Sequence, residues 1–243
     1  MDHPEEDDWN PPPVPMAGAN KTLVFAKLYG GFEHNLDSGV RVVLGSRAVP
    51  VKGTEDTVLL DVSKAPWDFQ HDRFVVVRVT KWSESGSPYV SDRKPLAWEV
   101  KTHGTPYGSS FSMDKPVKAL AAKTTSSATH IALLTDSHIE HYAGEVGRKS
   151  STRVPKNTAP ELGFAGWRVV FRTGRVIRAL DLGTKRISVL AVAEGPVRGL
   201  STVRRPGDRG YRVAWIEKRT DVGDARNRIR AINLPGSGSP SYS

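Results

Sequence analysis

From Thr22 onward, apolar and polar residues alternate with a period of two in run after run, as in strands that pack one face against a neighbouring layer. The alternation predicts strands over 22–29, 40–44, 58–62, 74–79 and 96–100. Gly30-Gly31, then Gly45 and Pro50, then a polar insertion from Ser83 to Lys94, punctuate them. Phe74-Val-Val-Val-Arg-Val79 is the most β-prone run and reads as a strand covered on both faces. Residues 103–115 read as a loop. After it, strands are expected near 117–122, 130–134, 138–143 and 151–154, then 161–164, 167–172, 176–182 and 186–193, and finally 197–203, 211–217 and 228–234. No segment longer than two turns has a 3.6-residue period free of Gly, Pro or β-branched clusters, so no helix is expected.

The strands recur in units. Ile177-Arg-Ala-Leu-Asp-Leu182 returns as Ile229-Arg-Ala-Ile-Asn-Leu234, and each copy follows an apolar run, Trp167–Phe171 or Tyr211–Ile216. Pro116-Val-Lys-Ala-Leu120 returns 80 positions later as Pro196-Val-Arg-Gly-Leu200, with one unit between. The implied period is about 40 residues, the length of a four-stranded propeller blade. Units near 58–102, 117–157, 158–195 and 196–234, with an N-terminal piece, give a small all-β propeller of five blades, four being the alternative count. The last unit has only three strands, and an unfinished sheet leaves a reactive edge. The strand at 22–29 is expected to complete it and close the ring.

Gly174-Arg-Val-Ile-Arg-Ala-Leu-Asp-Leu-Gly-Thr184 resembles the third-strand consensus of bacterial propeller repeats of the Tol and pyrroloquinoline-quinone types, where the strand ends in a Leu-Asp-x-x-Thr-Gly turn. The resemblance covers about one blade and part of a second, and it implies architecture. Lys185 stands where that turn has Gly, and the repeated Trp docking motif of the quinone enzymes is absent.

Composition divides the chain. Residues 1–20 hold five acids (Asp2, Glu5, Glu6, Asp7, Asp8), no Lys or Arg, and five prolines, which favours an extended, disordered tail carrying one Trp, Trp9. The rest has 35 Lys and Arg against 21 acids, a net of +14. Residues 21–235 are expected to form the propeller and 236–243 a flexible end. The absence of Cys excludes disulfides and thiol chemistry. No run reaches the ~18 apolar residues of a membrane span. A soluble protein is expected, cytoplasmic or particle-associated, and secreted only if a signal peptide has been removed.

Candidate chemistry is sparse. Asp136-Ser-His138-Ile-Glu140-His141 offers metal-ligand types, but residues three apart on a strand point to opposite sides, so no metal is expected there. A glycosidase needs carboxylates on inner strands. The positions on those strands, Asp61, Lys118, Glu161 and Arg198, alternate in charge around a channel and suit ion pairing better than acid–base work. Trp98, Trp167 and Trp215 fall in predicted strands and suit packing between blades. Phosphate-loop and nucleophile-elbow motifs are absent, and no cofactor is expected. Between residues 164 and 235 there are sixteen Lys and Arg against six Asp and Glu. Arg204, Arg205, Arg209, Arg212, Lys218 and Arg219 form the expected binding cluster. Arg168, Arg172, Arg178, Arg228 and Arg230 alternate with apolar residues as solvent-facing strand positions do. The expected function is a non-catalytic binding or assembly module with a protein partner, or an anionic polymer such as nucleic acid. The alternatives are a carbohydrate-active enzyme with its site at the channel mouth, and a structural or receptor-binding subunit of a phage-like particle.

Overall fold

The computed structural model describes the backbone of residues 16–19, 22–27, 39–44, 47–50, 57–64, 74–83, 96–103, 110–113, 115–125, 127–144, 147–205, 210–218 and 227–236, with side chains from residue 98 onward except 101, 103, 148 and 149. Every regular element among them is a β-strand, and none is a helix. No helix is long and apolar enough to cross a membrane.

The strands form five antiparallel sheets in chain order. The first holds β1 (Met16–Ala19), β2 (Thr22–Lys27), β3 (Gly39–Leu44) and β4 (Arg47–Pro50). The second holds β5 (Thr57–Lys64), β6 (Phe74–Ser83), β7 (Leu96–His103) and β8 (Ser110–Met113). The third holds β9 (Ala119–Thr124), β10 (Thr129–Leu134), β11 (His138–Ala143) and β12 (Arg148–Arg153). The fourth holds β13 (Thr158–Ala165), β14 (Arg168–Thr173), β15 (Val176–Asp181) and β16 (Ile187–Val192). The fifth holds β17 (Val197–Arg204), β18 (Tyr211–Lys218) and β19 (Asn227–Leu234). Each sheet is a meander, and its first strand abuts the first strand of the next, in the series β1, β5, β9, β13, β17.

Both internal repeats hold their expected equivalence. The two Ile-Arg-Ala strings are the third strands β15 and β19, and the two Pro-Val strings lead into the first strands β9 and β17. Three strands escape the alternation pattern: β1, which falls within the stretch expected as tail, β4, and β8 within the expected loop. The strand at 22–29 does not finish the last sheet. β2 pairs with β1 on one edge and β3 on the other, so it has no edge left to offer β19.

Apolar layers fill the spaces between sheets. Between the second and third lie Val100, Met113, Val117, Ile131, Leu133 and Tyr142. Between the third and fourth lie Ala121, Leu134, Ile139, Phe164, Trp167, Val169, Phe171 and Leu180. Between the fourth and fifth lie Val170, Ile177, Ala179, Val197, Val213 and Trp215. β10 is buried at all six positions, because both of its faces meet a layer. Each Leu or Phe so enclosed contributes about 1.5–3 kcal/mol.

Inner strands run very close together. A Cβ on Gly163 of β13 would stand 2.6 Å from the Thr202 hydroxyl of β17 and 2.7 Å from its methyl. Glycine is required there by space, and this contact sets the spacing and registers the fourth sheet against the fifth.

Candidate binding surface

The fifth sheet has two contrasting faces. Val213, Trp215 and Glu217 of β18 point toward the fourth sheet, aligned with Ile232, Arg230 and Arg228 of β19. Glu217 is excluded from solvent and accepts from Trp215 Nε1 at 3.1 Å and Arg228 Nε at 2.5 Å. Burial pushes its carboxyl up, but these hydrogen bonds and the nearby guanidinium groups outweigh it and hold Glu217 below the usual range. Arg228 also bonds Glu194, and Arg230 Nη1 donates to the same carboxylate at 2.7 Å. Hydrogen bonds from Arg228 and Arg230 keep Glu194 below the usual carboxylate range.

These arginines are therefore held by acids of the chain, Arg228 half-buried and Arg230 exposed. Arg228 and Arg230 neutralise Glu217 and Glu194, and Arg172 makes a two-pronged pair with Glu161 at 2.6 and 3.2 Å. Arg178 is half-buried beside Phe171, its partner across the strand pair. Arg168 Nη1 reaches the Pro235 carbonyl at 3.3 Å. Alternation gave the correct period, but in the fourth sheet Arg168, Arg172 and Arg178 are only half-exposed, and Arg230 of the fifth stays exposed while held by Glu194.

The outer face of the fifth sheet is different. Cross-strand rows there are Val203–Arg212–Asn233, Ser201–Ala214–Ala231 and Arg198–Ile216–Ile229. Val203 is 57% exposed, Ile216 39% and Ile229 77%, so an apolar stripe lies open. Arg198, Arg212 and Lys218 border it, all exposed. Arg212 donates to Asn233 Oδ1 at 3.1 Å. Among the described residues β19 pairs only with β18, so its far edge is unpaired.

The expected binding cluster is divided by this geometry. Arg212 and Lys218 stand at opposite ends of the outer face, six residues and about 20 Å apart. Arg204, opposite Tyr211, belongs to the inner face. Arg205 follows β17, and its N–H closes the hairpin onto Gly210 O at 3.2 Å. Arg209 and Arg219 lie outside the described residues. Of the expected channel set, Lys118 pairs with Asp136 at 2.8 Å, and Glu161 holds Arg172 and accepts from Gly199 N at 3.2 Å. Arg198 is exposed, and the side chain of Asp61 lies outside the described residues. His138 and His141 occupy β11, where alternation sends them to opposite faces: His138 bonds Ser137 at 3.0 Å, while His141 meets His130 at 3.1 Å. Among the described residues no three His, Asp or Glu converge as metal ligands would.

A second constellation lies at the end of the third and fourth sheets. Lys123 of β9 stands opposite His130 of β10, and His130 stacks on His141 and meets Trp167 edge-on at 4.6 Å. Gly166, at φ 69°, and Trp167 form the two-residue turn from β13 to β14. That turn aims the Gly166 carbonyl at Lys123 Nζ, 3.0 Å away, and sets the Trp167 ring 4.2 Å beneath the nitrogen. Burial and then Arg204 pull the Lys123 ammonium down to about 8. Sequence alone gave one signal for this residue: Lys123 is in phase with Ala119 and Ala121, on the buried side of its strand.

No family model and no curated protein sequence matches the chain. Among solved structures, "Crystal structure of HIRA(644-1017)" is similar with a TM-score of 0.40 and 9% identity over 67% of this chain. "AfRom2 CNH domain" is similar with a TM-score of 0.38 and 8% identity over 88% of it. The chain spans about half the length of the first of these (48%) and 75% of the second.

Proposed function

We propose that this chain is a non-catalytic binding module, a five-bladed β-propeller-type arc whose fifth blade, three-stranded among the described residues, receives a protein partner. Five consecutive meanders joined through their first strands support the blade count. The resemblance of Gly174–Thr184 to the third strand of Tol-type and quinoprotein-type repeats supports the architecture. The observation that carries the functional reading is the open apolar stripe of Val203, Ile216 and Ile229 beside the edge of β19 that no described strand pairs. Clustered exposed apolar side chains with a polar rim mark an interaction site. The basic rim of Arg198, Arg212 and Lys218 favours a partner with acidic residues around an apolar centre. A protein partner is preferred to an anionic polymer because Arg172, Arg228 and Arg230 are already held by acids of this chain.

The test is capture from the native source by the immobilised chain, with bound proteins identified by mass spectrometry. The wild type is expected to retain a partner that Ile229→Lys loses, and charge reversal of Arg212 and Lys218 is expected to weaken capture about tenfold, the effect of roughly 1.4 kcal/mol. A partner indifferent to all three changes would place binding elsewhere. Hydrolysis of a glycan, abolished by Asp61→Ala with the fold intact, would replace the binding role with the carbohydrate-active one.

A further inference from the structure

The first strands β9, β13 and β17 lie side by side and end at the same level. Thr202 of β17 packs on Gly163 of β13, so two residues further on Arg204 stands level with Ala165, beside Gly166. Lys123, near the end of β9, reaches the carbonyl of that same Gly166 from the other side. Two cationic side chains thus converge over the end of β13. Arg204 is exposed and has no hydrogen bond or ion pair among the described residues. Lys123 Nζ spends one N–H on Gly166 and has two others to give.

We propose that Lys123 and Arg204 form a binding site for a dianionic phosphate group, a terminal phosphate monoester or free phosphate, at the end of β9, β13 and β17. Two like charges brought together repel, and an oxyanion between them converts that repulsion into two charge-assisted hydrogen bonds. Arg204 can meet two phosphate oxygens with its planar fork, while Lys123 acts as a point charge. Trp167 and the Gly166 carbonyl hold the lysine in place, so little side-chain freedom is lost on binding. The site is separate from the outer face of the fifth sheet and does not depend on it.

The half-buried amine gives the site a signature. Its only perturbing influences are burial and Arg204, both lowering, with no carboxylate among them. A bound dianion supplies the missing countercharge and raises the amine again. Binding near pH 8, where Lys123 is half protonated, should therefore take up about half a proton, and affinity should fall by up to tenfold between pH 8 and 9.

The experiment is calorimetric titration of the full chain with inorganic phosphate and methyl phosphate, at pH 7, 8 and 9, in buffers of different ionisation enthalpy. Saturable binding with proton uptake at pH 8 is expected, weakened at least about tenfold by Lys123→Met and by Arg204→Ser and unchanged by Lys156→Ser, which is exposed before the other end of β13. Arg204 is exposed, so its variant reads binding even if the lysine variant loses structure. Dimethyl phosphate, a monoanion, is expected to bind at least about tenfold more weakly than methyl phosphate. Equal binding of the diester would overturn the assignment to a terminal phosphate. No saturable binding, binding indifferent to both variants, or binding without proton uptake at pH 8 would overturn the site.

Discussion

Lys185 has a φ of 60° in the turn after β15, a left-handed conformation that costs any residue with a Cβ. Asp181 holds the turn, its Oδ1 accepting from Gly183 N at 3.0 Å, Thr184 N at 2.8 Å and the Thr184 hydroxyl at 3.1 Å. Lys185→Gly is expected to stabilise the protein by about 0.5–1 kcal/mol, seen as a higher urea midpoint at unchanged slope. Titrating residues divide by sign. Burial pushes Asp181 and Glu217 up, but their hydrogen bonds outweigh it and leave both folded values depressed. Their contribution is complete above the unfolded carboxylate range of about 4 and is lost as pH falls through the folded values. Lys123 behaves oppositely: between about 8 and about 10.4 the unfolded chain holds its proton and the folded chain has released it, so stability rises with pH there. Chemical denaturation across pH 7–11 should show that rise in the wild type and a smaller one in Lys123→Met, where Lys185, also lowered by burial, still contributes.

Strands were the most legible elements, because each sheet offers water, a neighbour or both to a two-residue period. The repeated strings alone match β9 with β17 and β15 with β19, since equivalent strands meet equivalent layers. The missed strands, β1, β4 and β8, are four residues each, too short for that imprint to stand out. β8 has four residues, Ser110-Phe-Ser-Met113, and β4 ends on Pro50, which an edge strand tolerates because no N–H is needed there. The chain also leaves the two repeated third strands differently. Where β15 continues as Leu182-Gly-Thr-Lys through the turn held by Asp181, β19 continues from Asn233 into Leu234-Pro-Gly. Packing between elements is tightest at Gly163. Gly163→Val should cost about 1–3 kcal/mol by overpacking against Thr202, and a double-mutant cycle with Thr202→Ala should recover part of it. Phe171→Ala, which empties the layer between the third and fourth sheets, should cost about 3–5 kcal/mol in the same assay.

At the scale of the molecule, five sheets follow one another along their first strands, and the fifth has an apolar outer side. The candidate site was only half legible for a reason of charge. Counting Lys and Arg in the last seventy residues marks a basic region, but a count cannot tell Arg228, held by Glu217 and Glu194, from Arg212, which faces water. The open stripe was hidden for a related reason, because the apolar Ile216 and Ile229 look like core residues, and only their exposure on the outer face of the fifth sheet tells them apart. That exposed border has a practical consequence at the bench. The far edge of the eight-residue β19, which no described strand covers, invites the same segment of another molecule to line up alongside, so concentrated stocks should turn cloudy on standing. A single lysine at position 229 should keep them clear, and light scattering against concentration would show the difference.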